Sequence, residues 1–173
     1  MRKVLIAGSA LALAVASCLC GIASAQQTTK ISAEDQEFLT KAIQSGQAEV
    51  AISNLALEKS QNEQVRKFAE RMVQDHTAAN QRLISLEDVS GRTLPKEMDQ
   101  KHEAILEQLS LLSGEDFDRQ YMKGQVQDHQ AAVELFATEA TQPSGPVDAL
   151  AGELLPALRE HLQTAEEISN SMA

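Results

Sequence analysis

The sequence predicts an all-α protein built as a bundle of four long helices. Three observations predict it. Ala, Leu, Glu and Gln are abundant, and these residues favour helices. Four long stretches carry small or apolar residues at spacings of three and four, and no window alternates as a half-buried strand does. Capping residues, glycines and prolines fall between those stretches.

The first helix is predicted over residues 33–60. Ser32 is placed to cap it, and Glu34 and Asp35 put negative charge in its first turn. Its inward stripe reads Leu39, Ile43, Gly46, Val50, Ser53 and Leu57. Asn62 caps a second helix over 63–89, with Val65, Ala69, Met72, His76, Ala79, Leu83 and Leu86 inward and Gly91 ending it. Pro95 opens a shorter helix that runs to Leu112, with Met98, Ile105, Leu109 and Leu112 inward, and Ser113-Gly114 breaks it. A long helix over 115–141 follows, with Met122, Val126, His129, Val133, Phe136 and Ala140 facing in. Thr141 to Pro146 is a turn. The last helix covers 147–171 and turns Leu154, Leu158, His161, Ala165 and Ile168 inward. Pro156 lacks the N–H that would bond back to Gly152, so a kink or a split is expected there. Long helices of this size span roughly 40 Å. The fold class is therefore a ferritin-like four-helix bundle with a short extra crossover helix between the second and third long helices.

Residues 1–25 have the layout of a signal peptide. Arg2 and Lys3 precede an apolar run from Val4 to Val15, and Ala23-Ser24-Ala25 supplies a small-residue cleavage pattern. The run is shorter than the roughly 20 residues of a membrane-spanning helix, and no later stretch is apolar enough to span. Residues 26–31 then form a flexible leader, and 32–171 the bundle domain. A lipoprotein reading competes, because Val15-Ala16-Ser17-Cys18 resembles a lipobox and would anchor the chain to a membrane through Cys18. The expected location is the periplasm. Cys18 and Cys20 both lie in the leader, so no disulfide holds the mature chain and its core must. After cleavage the chain keeps all 25 acidic residues and 13 of its 15 basic ones, a formal charge of −12. Such charge argues against nucleic acid and anionic membrane as partners. An envelope protein partner stays open, as does the oligomeric state.

Three of the four histidines fall on inward stripes of three different long helices. Random placement would do this roughly 8% of the time. His76, His129 and His161 each lie 14 residues past the start of their helix, at Asn62, Glu115 and Val147. Helix midpoints of a bundle meet at one layer whichever way each helix runs. Glu49, central on the first helix at the edge of its stripe, reaches the same level, as a fourth ligand or as an acceptor behind a ligating histidine. Three imidazoles and one carboxylate suit one divalent transition metal: zinc, copper, iron or nickel. A metal-free hydrogen-bonded network of the same residues is the alternative, and in it a buried histidine beside Glu49 gains charge. His102 is expected at the surface or an edge. Asp75 and Asp128 precede core histidines by one residue, a turn of about 100°, so they are not expected to share a site with those histidines; they orient a neighbouring group or simply face water, and water is the favoured reading. Met72, one turn before His76, fills core. A seven-residue echo, Val73-Gln74-Asp75-His76-Thr77-Ala78-Ala79 against Val126-Gln127-Asp128-His129-Gln130-Ala131-Ala132, is identical at six positions. It is too short for a repeat architecture. No nucleophile elbow or phosphate loop is present, so catalysis by such devices has no support.

The stretch from Phe68 to Asn80 resembles the family called domain of unknown function 4142, exported bacterial proteins often labelled predicted outer membrane proteins. Gly46 to Val50, Leu111 to Asp118, Asp128 to Val133 and Leu155 to Leu162 match as well, so the resemblance covers residues 34–168. It implies a ferritin-like bundle and no established activity. Glu49, His76, His129 and His161 all stand in its motifs. The Glu-x-x-His pattern of di-iron bundles is absent, with Val73, Val126 and Leu158 three residues before the histidines, which argues against oxidase or iron-storage chemistry. Two function classes follow. One is a metal-binding bundle in metal handling or envelope stress. The other is a metal-free structural or interaction module of the envelope.

Overall fold

The computed structural model describes residues 31–86, 93–142 and 145–172. The leader 1–25 with Cys18 and Cys20, residues 26–30 and the helix-ending Gly91 lie outside the described residues. Five helices are described: α1 (Ala33–Lys59), α2 (Glu63–Ile84), α3 (Gln100–Ser110), α4 (Gly114–Glu139) and α5 (Pro146–Ser171).

Local chemistry sets most of these boundaries. Ser32 and Asp35 form a reciprocal capping box, each side chain accepting from the other's backbone N–H at 3.0 Å. Asn62 Oδ1 accepts from Gln64 N at 2.9 Å at the start of α2. Gly114 has a φ of 58°, a conformation that glycine alone adopts without strain, and so the break after α3 falls there. Gly145, with a φ of 114°, serves the turn before Pro146 in the same way.

Three boundaries depart from the sequence reading. α2 ends at Ile84 rather than 89. Pro95 does not open α3; Asp99 does, its carboxylate accepting from His102 N at 3.0 Å. A side chain that satisfies a free backbone N–H is a stronger start signal than a proline with no cap before it. α5 runs as one helix through Pro156, so of the expected kink or split the split does not occur. Tertiary packing of Leu155 and Leu158 on either side holds the helix through the missing bond.

Contacts across the bundle give its topology. Tyr121 bonds Ser53, Gln125 bonds Glu49 and Phe136 packs on Phe38, so α1 and α4 run antiparallel. Arg71 pairs with Glu160 and Arg82 with Glu153, so α2 and α5 are antiparallel too. α1–α2 and α4–α5 are hairpins. The order is therefore up-down-down-up, and the chain must return along the bundle between α2 and α4. That return carries α3. Lys59 Nζ, at the end of α1, donates to Ser110 O at 2.6 Å and Leu112 O at 2.9 Å and fixes where the return ends. The molecule is a ferritin-like four-helix bundle with a crossover helix.

The core has two apolar parts. One gathers Ile52, Ala56, Phe68, Met72, Phe117 and Met122. The other gathers Phe38, Leu39, Ile43, Leu83, Phe136 and Leu150. A polar layer lies between them. On α1 the inward face runs through Gly46, Glu49, Ser53 and Ala56, while Val50 and Leu57 sit half-buried beside it. Glu49 is thus inside the core rather than at its edge. Asn80 packs directly over Gly46, where a Cβ would lie 2.1 Å from Asn80 Oδ1 and force that side chain to move. Among the described residues, no helix is long and apolar enough to cross a membrane.

Candidate metal centre

His76 on α2, His129 on α4 and His161 on α5 meet in the polar layer. Their ring centroids are 5.4, 5.5 and 5.4 Å apart, close to an equilateral triangle. One ligand nitrogen from each lies within 4.8 Å of the others. All three rings are buried, His129 at 1% and His161 at 2% exposure.

The hydrogen bonds assign their protons. His129 Nδ1–H donates to the carbonyl of Gln125 at 2.9 Å, which leaves Nε2 bare. His161 Nε2–H donates to Asp75 Oδ2 at 2.8 Å, which leaves Nδ1 bare, buried and without a partner. His76 Nε2 is 3.3 Å from the bare His129 Nε2 and must donate to it. A tetrahedral ion with bonds of about 2.0–2.1 Å needs nitrogens about 3.4 Å apart, and this pair already has that spacing.

Electrostatics favour the ligating form. Burial holds the His76 imidazole well below its usual pKa, and positive charge on His129 or His161 would push it lower still. Burial lowers His129 as well. It takes His161 down to about 4 even though Asp75 pulls the other way. All three rings are therefore neutral at pH 7, as metal ligation requires. The sequence reading of the metal-free network had a histidine gaining charge beside Glu49. The desolvated core reverses that.

Glu49 is at the right level but on the far side of His129. Its Oε1 is 4.0 Å from His129 Nδ1, the outward nitrogen, and its Oε2 accepts from Gln125 Nε2 at 2.7 Å. Burial pushes its pKa up to about 8, so it is protonated at neutral pH and a weak ligand. The structure thus brings the three histidines together and sets Glu49 behind one of them.

Two expectations are corrected. Asp75 does not simply face water. It is half-buried, accepts from His161, and accepts from Arg71 Nε at 3.2 Å, while Arg71 also bridges to Glu160 at 2.8 Å. The 100° step carries Asp75 away from His76, but toward α5, where His161 meets it. His102 is buried rather than at the surface, its Nδ1 donating to Asp99 Oδ2 at 2.8 Å. It stands outside the triad. Gln125 was missed altogether. It lies four residues before His129, on the same helix face, and that spacing marks it as a core partner.

The family model described as domain of unknown function (DUF4142) matches residues 21–168. No curated protein matches the sequence. Among solved structures, a DUF305 fragment from Deinococcus radiodurans superposes with a TM-score of 0.73 at 20% identity, covering 82% of this chain and 99% of that one. CopM in its Cu(II)-bound form gives a TM-score of 0.67 at 18% identity over 80% of this chain and 97% of its own. CopM in its Cu(I)-bound form gives 0.67 at 17% identity, covering 79% and 96%. At such identities the likeness is one of fold. The chain belongs to the DUF4142 family.

Proposed function

We propose that this member of the DUF4142 family binds one transition-metal ion through His76, His129 and His161, as an exported protein of metal handling or envelope stress. The observation that carries the reading is the triad itself. Three neutral imidazoles from three helices converge in a buried layer, and one of them, His161, has a buried nitrogen with no protein partner. An acceptor left unsatisfied there costs about 1–3 kcal/mol, which a ligand would recover. Outer groups orient two of the rings: Asp75 holds His161 and the Gln125 carbonyl holds His129. Glu49 supports the back of His129 rather than completing the ligand set. Imidazole donors suit zinc, copper, iron and nickel. Copper ranks first, because CopM shares the fold and its structures are copper-bound.

Metal-free protein titrated with copper and with zinc tests this. Binding to the folded state at 100 times Kd adds about 2.7 kcal/mol and raises Tm accordingly. His129→Ala abolishes the rise, and His102→Ala, away from the triad, keeps it. An unchanged Tm with either ion sinks the metal reading.

A second reading has its own observation. The His76–His129 and His161–Asp75 hydrogen bonds partly satisfy the layer without a metal, as expected of a structural or interaction module. An unresponsive Tm favours it.

Export rests on the layout of residues 1–25. The intact mass of the secreted protein is expected to show cleavage after Ala25. A lipid-bearing mass beginning at Cys18 places the protein on a membrane instead.

A further inference from the structure

A cavity of about 60 Å³ borders the triad between the helices. His76 and His161 form one part of its wall, and small residues, among them Gly46, Ala132 and Ala157, form much of the rest. His129 is not part of that wall, and neither is Glu49, which sits behind His129 with Oε2 already taken by Gln125. The chain therefore offers three nitrogens on one side and space on another. Sites built this way keep a coordination position open, whereas purely structural sites close all four with protein ligands.

The wall also carries unused polar atoms. His161 Nδ1 and Asn80 Oδ1 are both buried with no hydrogen-bond partner, and both residues line the cavity. Asn80 is 5% exposed and packs directly over Gly46. Asp75, which borders the same space, has a side chain 35% exposed and so connects it to solvent. A cavity this size holds a ligand of about three or four heavy atoms.

We propose that the fourth coordination position of the three-histidine centre opens into this cavity and takes a small ligand from solvent, with Asn80 Oδ1 as its hydrogen-bond acceptor. The ligand class is water, or a small anion or molecule that brings a lone pair to the metal; where it carries an O–H or N–H, Asn80 Oδ1 accepts it. Larger side-chain-like donors do not fit. The inference rests on the metal reading above.

The test uses the protein loaded with cobalt(II), whose visible absorption reports coordination, with azide as the probe. Addition of azide is expected to shift the visible bands in a saturable way. Ala157→Leu, which fills the cavity and leaves all three histidines in the chain, is expected to keep cobalt uptake and weaken the azide response at least tenfold. A cobalt spectrum that ignores azide overturns this inference and leaves the metal site standing. An azide response unchanged in Ala157→Leu overturns the cavity as its place. Failure to take up cobalt at all overturns the metal reading, and this inference with it.

Discussion

The two copies of the echo, residues 73–79 on α2 and 126–132 on α4, have almost the same letters and different surroundings. In each copy the histidine enters the triad. The aspartate before it does not do the same work twice. Asp75 lies against α5 and holds His161, with Arg71 and Glu160 extending the chain of charges to the surface. Asp128 lies half-buried beside the crossover helix, on the wall of a broad groove that also includes Lys101 and Tyr121. The histidines differ as well. His129 is sealed at 1% exposure with Gln125 and Glu49 behind it, while His76 is 8% exposed and borders the cavity. A segment settles which way its own side chains point. The helix packed next to it settles what they meet.

That contrast can be broken first by truncation. His129→Ala is expected to lower metal-free stability by about 3 kcal/mol, and His76→Ala by about 1 kcal/mol less, since His129 also loses the bond to Gln125 and leaves the drier void. Urea denaturation of both variants checks this. Equal losses would mean that the two copies are equivalent in the core.

Acid and base titration sharpens the same contrast, because the groups behind the two copies shift in opposite directions. His161, held by Asp75, has a folded pKa of about 4 against 6.5 when unfolded. The unfolded chain then binds more protons in that window. Stability from this group is full above pH 6.5 and falls as pH drops toward 4, by up to about 3 kcal/mol. Glu49, behind His129, is raised to about 8. Its contribution is full below about 4.5 and is lost as pH rises through 8. Glu49→Gln in metal-free protein is therefore expected to remove a slope of roughly 1.4 kcal/mol per pH unit between those limits. Thermal melts from pH 5 to 8 measure it, and an unaltered profile would place an ionised Glu49 in the core.

The smallest effect separates the aspartates. Asp75→Ala is expected to weaken metal binding about 10–100-fold, as loss of an outer partner of a ligating histidine does. Asp128→Ala should change affinity less than twofold and stability by under about 0.5 kcal/mol. Competition with a chromophoric chelator gives both affinities. Similar losses would show that the two carboxylates share a role.

The difference between the copies also explains what could be read from the sequence. The four long helices were legible because caps and stripes are local and repeated. The level of His76, His129 and His161 was legible because all three stand near the middle of helices of similar length. The partners were not. Asp75 meets His161 across 86 residues of chain, and Gln125 meets Glu49 across 76. Neither meeting leaves a periodic trace. The start of α3 was misread for a related reason: Pro95 is a prominent signal, but Leu94 beside it is committed to the core and the helix begins only where Asp99 caps it.

The up-down-down-up order has a kinetic consequence. The α1–α2 hairpin carries one member of the triad, and the α4–α5 hairpin carries the other two. Neither hairpin can assemble the layer alone. Its three rings meet only when the hairpins dock, a step that must close the long connection through α3. An ion held there is a rivet across the joint between two halves. It should lengthen the lifetime of the folded state while leaving the rate of hairpin formation nearly unchanged.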